Sequence, residues 1–263
     1  HGTAPASPRA RGYAGRMGGL VVKPLNIVHL FPELLNLYGD GGNVMTLRRR
    51  CEWRNIPAQV TEVGMGDSID FSSADIVFIG GGADREQLIV KDAMMSRKAD
   101  LSSYVADAGV LLAVCGGYQF LGHHYAMDDV VVDGLGIVDM ETVRGEGRLI
   151  GNAVVQSDIS DIPVVGFENH GGRTTLGSGV APFGRVLAQT RGNNGEDGGE
   201  GVHQDNLIGT YLHGPLLPKN PQVADHLISR ALERRGDSAE LAPLDDAVEL
   251  EANRIMLHRL GVF

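Results

Sequence analysis

Two residues far apart in the chain have the types needed for covalent acyl chemistry. Cys115 closes the apolar run Val110-Leu111-Leu112-Ala113-Val114 and is followed at once by Gly116-Gly117. His213 follows Asn206-Leu207-Ile208-Gly209-Thr210-Tyr211-Leu212 and precedes Gly214-Pro215. A thiolate attacks carbonyl carbon readily, and an imidazole can take its proton and later return one to a leaving group near neutral pH. The oxyanion formed on the way needs backbone N–H donors. Gly80-Gly81-Gly82, a third turn directly after an apolar run, and the glycine after the cysteine supply candidates: Gly81, Gly82 and Gly116. Read alone, Cys115 is equally a buried cysteine before an ordinary turn, because free cysteine is among the most buried residue types.

These side chains can converge only if the runs that precede them are strands of one sheet, ending on the same edge. The first half of the chain has that form. Leu25–Phe31, Ala58–Val63, Asp75–Ile79 and Val110–Val114 read as strands. Helical spacing lies between them, at Val44, Leu47, Cys51 and Ile56 and again from Arg85 to Ala108. Alternation of this kind predicts βαβ units and a parallel sheet. A strand that stops at Cys115 and turns through two glycines into the apolar spacing of Phe120, Leu121 and His124 is a nucleophile elbow, in which the first helix amides face the sulfur. The second half reads as short strands at Gly134–Val138, Asn152–Val155, Pro163–Glu168 and Asn206–Leu212. A mobile polar loop is expected from Gly192 to Gly201, and two helices at Pro221–Arg235 and Leu244–Leu260. One domain, residues 20–263, with a helix-covered mixed sheet accounts for these elements. Residues 1–19, rich in Gly, Ala, Pro and Arg, are expected to be a disordered arm or a tag remnant outside it.

Composition narrows the partners. With 263 residues, 43% hydrophobic and 21% charged, the chain can bury a full core. A net charge of −10 argues against a nucleic-acid backbone as ligand. Cys51 and Cys115 are the two cysteines, which gives no disulfide framework and fits a reducing cytoplasm. No apolar run approaches the ~18 residues of a membrane span.

The remaining candidates have simpler readings. His170, in Glu168-Asn169-His170, is a rival base or a residue lining the site with Glu168. His123-His124, placed on the helix after the elbow, lacks acidic or thiol partners at ligand spacing, so no metal site is expected. Arg48-Arg49-Arg50 reads as a solvated helix face, Asp40 and Asn43 as turn and cap residues, and Cys51 as part of an apolar helix stripe. Arg148 read alone is compatible with a surface charge.

Taken together and in order, several motifs resemble class I (triad) glutamine amidotransferases of the cobyric acid synthase branch. They are Tyr38-Gly39-Asp40-Gly41-Gly42-Asn43, Gly80-Gly81-Gly82, Val114-Cys115-Gly116-Gly117-Tyr118-Gln119, Gly166-Phe167-Glu168-Asn169-His170-Gly171-Gly172 and Gly209-Thr210-Tyr211-Leu212-His213-Gly214-Pro215. Within that branch the chain resembles the glutaminase subunits of lipid II isoglutaminyl synthases. The resemblance implies a flavodoxin-like fold, with a central, mostly parallel sheet flanked by helices and additional short strands in the C-terminal half. It implies that Cys115 forms a thioester with L-glutamine, that His213 is base and acid, and that Arg148 holds the α-carboxylate. Gln119, Glu168 and His170 would line the substrate site. It implies no cofactor in this chain. A Mur-ligase-like, MurT-type partner would bring ATP and Mg and use the ammonia to amidate D-glutamate of the lipid II stem peptide. The chain contains no Gly-x-x-x-x-Gly-Lys-Ser/Thr of its own. A cobyrinate-type acceptor and a non-catalytic binding module are the alternatives.

One position departs from the family pattern. Where most triad amidotransferases carry a carboxylate two residues after the histidine, this chain has Pro215. An imidazole without an acceptor on its other nitrogen has a less well fixed tautomer. The acid is therefore expected from a distant part of the chain or, by preference, from the partner, which predicts a poor glutaminase in isolation.

Overall fold

The structure, a computed structural model, describes residues 23–127, 130–188 and 191–262. The expected arm at residues 1–19 lies outside them. The first half builds β1 (Leu25–Leu30), α1 (Gly41–Trp53), β2 (Ala58–Val63), β3 (Ile76–Ile79), α2 (Asp84–Met95), α3 (Lys98–Ala106), β4 (Val110–Val114) and α4 (Gly116–Phe120). The second half adds β5 (His124–Met127), β6 (Val130–Asp133), β7 (Met140–Gln156), β8 (Val164–Leu176), β9 (Gly184–Ala188), β10 (Gly199–Glu200), β11 (Val202–Gln204), β12 (Leu207–Thr210), α5 (Pro221–Arg234) and α6 (Ala247–Arg259).

The strands form two six-stranded sheets. The first has the order β11-β12-β4-β3-β1-β2. Its contacts are parallel from β12 through β2, and only β11 runs antiparallel, on the edge. Every residue of β1, β3, β4 and β12 is buried. That is why these segments read as unbroken apolar runs: helices cover both faces of a parallel sheet. The order β2-β1-β3-β4-β12 is the flavodoxin-like arrangement, whose ligand crevice opens between β1 and β3, beyond the strands' carboxyl ends.

The second sheet, β10-β9-β7-β5-β6 with β8 paired to β7, departs from the short strands expected there. Asn152–Val155 and Pro163–Glu168 are the apolar ends of one long antiparallel hairpin. Its other residues alternate between buried and exposed or carry Gly, Arg and Glu, so only the ends looked like strands. Gly134–Val138 is not a strand. Its N–H groups donate to carbonyls of Phe120–His123, and a Cβ on Gly134 would stand 2.1 Å from the Gly122 oxygen. His124 opens β5 instead of extending the helix, because α4 stops at Phe120.

Two charge expectations also change. Arg50 is only 2% exposed, its guanidinium clamped between Asp225 on α5 and Asp246 at the start of α6. Only Arg48 and Arg49 form the solvated face. The Gly192–Gly201 segment is anchored as well. Asn193 bonds to both backbone groups of Gly201, and the carboxylate of the buried Glu200 accepts from the Thr210 hydroxyl and the Tyr211 N–H. A run rich in Gly, Asn and acid looked mobile because its composition shows neither the Asn193–Gly201 closure within it nor the partners of Glu200 at Thr210 and Tyr211.

Candidate active site

Cys115 stands at the end of β4 with φ +50° and ψ −105°, a conformation L-residues rarely adopt. Its N–H donates to the Thr210 carbonyl (2.8 Å), which ties the elbow to β12. The sharp turn depends on Gly117, where a Cβ would lie 2.6 Å from the Ile79 carbonyl oxygen. The thiol is 6% exposed and opens into a cavity of about 650 Å³ lined by Tyr38, Gln119, Arg144, Arg148, Asn169 and His170, among others. That volume suits an amino-acid-sized ligand.

His213 reaches Cys115 because β12 is parallel to β4 and ends beside it. Its N–H donates to the Phe167 carbonyl (2.8 Å), and the Leu212 N–H to the Thr210 hydroxyl (3.0 Å). Burial alone would pull the His213 pKa down. Interactions with Cys115 and with the Asp40 carboxylate outweigh it and lift the His213 pKa to about 10.

An acid does stand at the imidazole, and it belongs to this chain. Asp40 Oδ1 lies 3.6 Å from His213 Nδ1, both side chains being wholly buried, while Asp40 Oδ2 accepts the Gly81 N–H at 2.8 Å. Asp40 precedes α1, but its side chain makes no cap hydrogen bond there. The rest of the glycine-rich turn serves the same join. Asn43 Oδ1 accepts from the Leu217 N–H (2.8 Å), and a Cβ on Gly42 would press 2.6 Å from Pro215. The turn is therefore shaped to receive the segment after His213, a role that the turn-and-cap reading missed.

The donors for an oxyanion narrow accordingly. The Gly81 N–H is committed to Asp40, so it cannot also serve an oxyanion. Gly82 and Gly116 have no backbone acceptor for their N–H groups among the described residues and both lie by the elbow.

Arg148 is brought to the cavity by a break in the hairpin. The β7–β8 register shifts between Arg144 and Leu149, and the bulged Gly145–Arg148 carries Gly147 at φ +62°. Bulges commonly re-aim a side chain at a site. The Arg148 Nε–H donates to Asn169 Oδ1 (2.7 Å) and an Nη2–H to the Asn169 carbonyl (2.8 Å). Asn169 in turn donates to the Tyr38 hydroxyl (2.6 Å), and the Tyr38 ring stands edge-on over His213 with centroids 5.1 Å apart. Asn169 and Tyr38 thus connect the guanidinium to the base, and neither was singled out from the sequence.

The other candidates divide. Gln119 lines the cavity and donates to the Tyr211 hydroxyl (3.2 Å). His170 also lines it, stacked on Tyr211 at 3.5 Å with Nδ1 2.8 Å from the Gly172 carbonyl oxygen, which leaves the base role to His213. Glu168 is not among the residues that line the cavity. It is buried, and its carboxylate accepts the Arg191 and Gly192 N–H groups while lying 3.7 Å from His170 Nε2. The described residues hold no cluster of three His, Cys, Asp or Glu suited to a metal, and no helix long and apolar enough to cross a membrane.

Comparison with known proteins agrees with this geometry. Residues 26–221 match the CobB/CobQ-like glutamine amidotransferase domain. The chain is 43% identical to the GatD subunit of the glutamine-hydrolysing lipid II isoglutaminyl synthase of Staphylococcus aureus, over 89% of this chain and 96% of that one. It is 38% identical to the corresponding subunit of Streptococcus pneumoniae, over 86% and 88%. Among solved structures, PurLQS from Thermotoga maritima aligns over 73% of this chain and 87% of that one, with a TM-score of 0.50 at 14% identity, a likeness of fold alone.

Proposed function

Because the chain belongs to the CobB/CobQ-like glutamine amidotransferase family, we propose that it is the glutaminase subunit of a lipid II isoglutaminyl synthase. The observation that carries the reaction is the pairing of His213 with Cys115, whose strained elbow opens into a cavity that also holds Arg148. L-Glutamine enters with its α-carboxylate on the Arg148 guanidinium, whose paired donors suit that geometry. Asp84, on the cavity wall, would face the ammonium. The sulfur attacks the side-chain amide carbon, and the Gly82 and Gly116 N–H groups stabilise the oxyanion. The His213 imidazolium gives its proton to the departing nitrogen, so ammonia leaves and a γ-glutamyl thioester remains. Water then adds to the thioester with His213 as base. Collapse releases glutamate and regenerates the Cys115–His213 pair. The sum is glutamine and water to glutamate and ammonia.

The acceptor reading rests on coverage. Both isoglutaminyl synthase subunits align over most of their length, which favours a separate glutaminase chain over one part of a fused synthase. In this reading a cytoplasmic, Mur-ligase-like partner of the MurT type binds ATP and Mg and transfers the ammonia to D-glutamate of the stem peptide. The test combines the purified chain with such a partner, ATP, Mg, glutamine and lipid II, and follows glutamate release and stem-peptide amidation. Both should depend on Cys115, and a glutamine-analogue electrophile should label that residue. Absence of glutamate release and of labelling, with and without the partner, would remove the enzyme reading. Glutamate release without amidation of lipid II would remove the acceptor.

A further inference from the structure

We propose that Gln87 is the residue by which this site distinguishes a carboxamide from a carboxylate. One end of its side-chain amide braces the Gly82 turn against Gly116, and the other end, Oε1, accepts an N–H of the glutamine carboxamide being cleaved. The proposal rests on the glutaminase reading above and adds what makes that site selective for glutamine over glutamate.

Gln87 lies near the start of α2, where its N–H donates to the Ala83 carbonyl (3.0 Å). Helical side chains lean back toward the N-terminus, which carries this one over the Gly80–Gly82 turn. The residue is 3% exposed, and its Nε2–H donates to the Gly82 carbonyl at 3.0 Å. A carbonyl oxygen can only accept, so the nitrogen faces it and Oε1 faces elsewhere. The second neighbour is Gly116. It lies outside the positive-φ region, and a Cβ built there would have three atoms of Gln87 as its nearest neighbours, Nε2 at 2.6 Å, Cδ at 2.8 Å and Cγ at 3.1 Å. Glycine at 116 is thus a requirement of this packing and not of the backbone.

The two residues that Gln87 touches are the two assigned to the oxyanion. The Gly81 carbonyl accepts the Leu37 N–H (2.9 Å), and because a trans peptide is planar this points the Gly82 N–H to the opposite side. Gln87 holds the next peptide by its carbonyl, so its carboxamide sets the spacing between the Gly82 and Gly116 turns.

That leaves Oε1. It is buried, belongs to a side chain on the cavity wall, and has no hydrogen-bond partner among the described residues. An unmet buried acceptor is costly, and a ligand that brings an N–H to it removes the cost. A substrate oxygen seated on the Gly82 and Gly116 N–H groups places the attached nitrogen beside the side chain that touches both. Glutamate would present a second oxygen there, and two facing acceptors repel and stay unpaired. A site built to bond a substrate N–H rejects the analogue that lacks it. The same contact therefore holds substrate and loosens product.

The test uses the chain in complex with the Mur-ligase-like partner, as wild type and Gln87→Met, with L-glutamine and L-glutamate γ-methyl ester as substrates. Glutamate release from each, inhibition by L-glutamate and the thermal midpoint are measured. The ester keeps the carbonyl that the oxyanion donors bind but has no N–H to give, so it reports the brace alone. Methionine nearly conserves the volume of Gln87 and removes both polar ends. In Gln87→Met we expect kcat/KM to fall roughly 10²-fold for glutamine and about tenfold for the ester. L-Glutamate should inhibit at a lower concentration, relative to KM for glutamine, than in wild type. Equal losses on the two substrates, or wild-type kcat/KM for glutamine in folded Gln87→Met, would overturn the proposal while leaving the glutaminase reading intact. Should that variant not fold, calorimetric titration of the Cys115→Ala complex decides the same point. Glutamine should bind it about tenfold more tightly than the ester, and equal affinities would overturn the proposal. A wild type that hydrolyses neither substrate would overturn the glutaminase reading and the proposal with it.

Discussion

Gly81 lies among all three members of the cluster, so adding one methyl group there tests the geometry directly. A Cβ would fall 2.9 Å from His213 Cε1, 3.1 Å from Cys115 Cβ and 3.2 Å from Asp40 Oδ2. Comfortable separation between carbon atoms is about 3.5–4.0 Å, so Gly81→Ala must push these neighbours away by roughly half an ångström or more. They have little freedom to yield. His213 is held by the Phe167 carbonyl, Cys115 by that of Thr210, and Asp40 by the Gly81 N–H itself. Overpacking of this kind costs about 1–3 kcal/mol, which for a chain of this size lowers the thermal midpoint by roughly 2–10 °C. A misplacement approaching 1 Å at reacting groups can cost ~10²-fold in rate. The variant should therefore fold, bind glutamine with a KM close to wild type because Arg148 is untouched, and lose about 10²-fold in kcat. Gly66→Ala is the control, since its Cβ would meet nothing within 4 Å and its backbone lies outside the positive-φ region. Stopped-time assays of glutamate release and thermal melts on the three proteins decide the matter. A Gly81→Ala enzyme with wild-type kcat would mean that Cys115, His213 and Asp40 do not act in the arrangement described.

Two further outcomes follow from the cavity and its backing. Asn169→Ala removes the Oδ1 acceptor of the Arg148 Nε–H and the donor to the Tyr38 hydroxyl, leaving only the backbone carbonyl to hold the guanidinium, so KM for glutamine should rise about tenfold with a smaller change in kcat; an unchanged KM would count against Arg148 as the carboxylate clamp. Burial pushes the Glu200 carboxyl up to about 8, so the folded protein keeps a proton that the unfolded chain releases near its ordinary value of 4.5. Stability should then fall as pH rises from about 4.5 to 8. Glu200→Gln, which retains an acceptor for Thr210 and Tyr211, should flatten that slope in urea melts at pH 5, 6.5 and 8; an unaltered slope would place the titrating group elsewhere.

The contrast between what the sequence disclosed and what it hid is physical. Cys115, His213 and the Gly80–Gly82 turn were legible because each ends a strand buried on both faces, and such strands leave continuous apolar runs that stop where the chemistry starts. Arg148 was legible only as a residue type in a glycine-rich context, since its aim depends on a bulge whose position is set by the opposite strand. Arg50 was misread because its two acids come from residues 175 and 196 positions away, and helical spacing on α1 carries no trace of them.

Asp40 is the instructive miss, and the topology shows how it could have been found. With the strand order β2-β1-β3-β4-β12, the crevice opens where the chain's crossovers diverge, between β1 and β3. The loops leaving β3, β4 and β12 had already been assigned to amide donors, nucleophile and base. The remaining loop that rises from the same edge at the crevice is the one after β1, and the first acid there that is followed by glycines is Asp40. The glycines mark the place where a second chain segment presses close, here Pro215 against Gly42, and that segment is the one carrying His213. Pro215 packs the backbone after His213 against Gly42, so the segment that carries His213 and the turn that carries Asp40 meet at one contact.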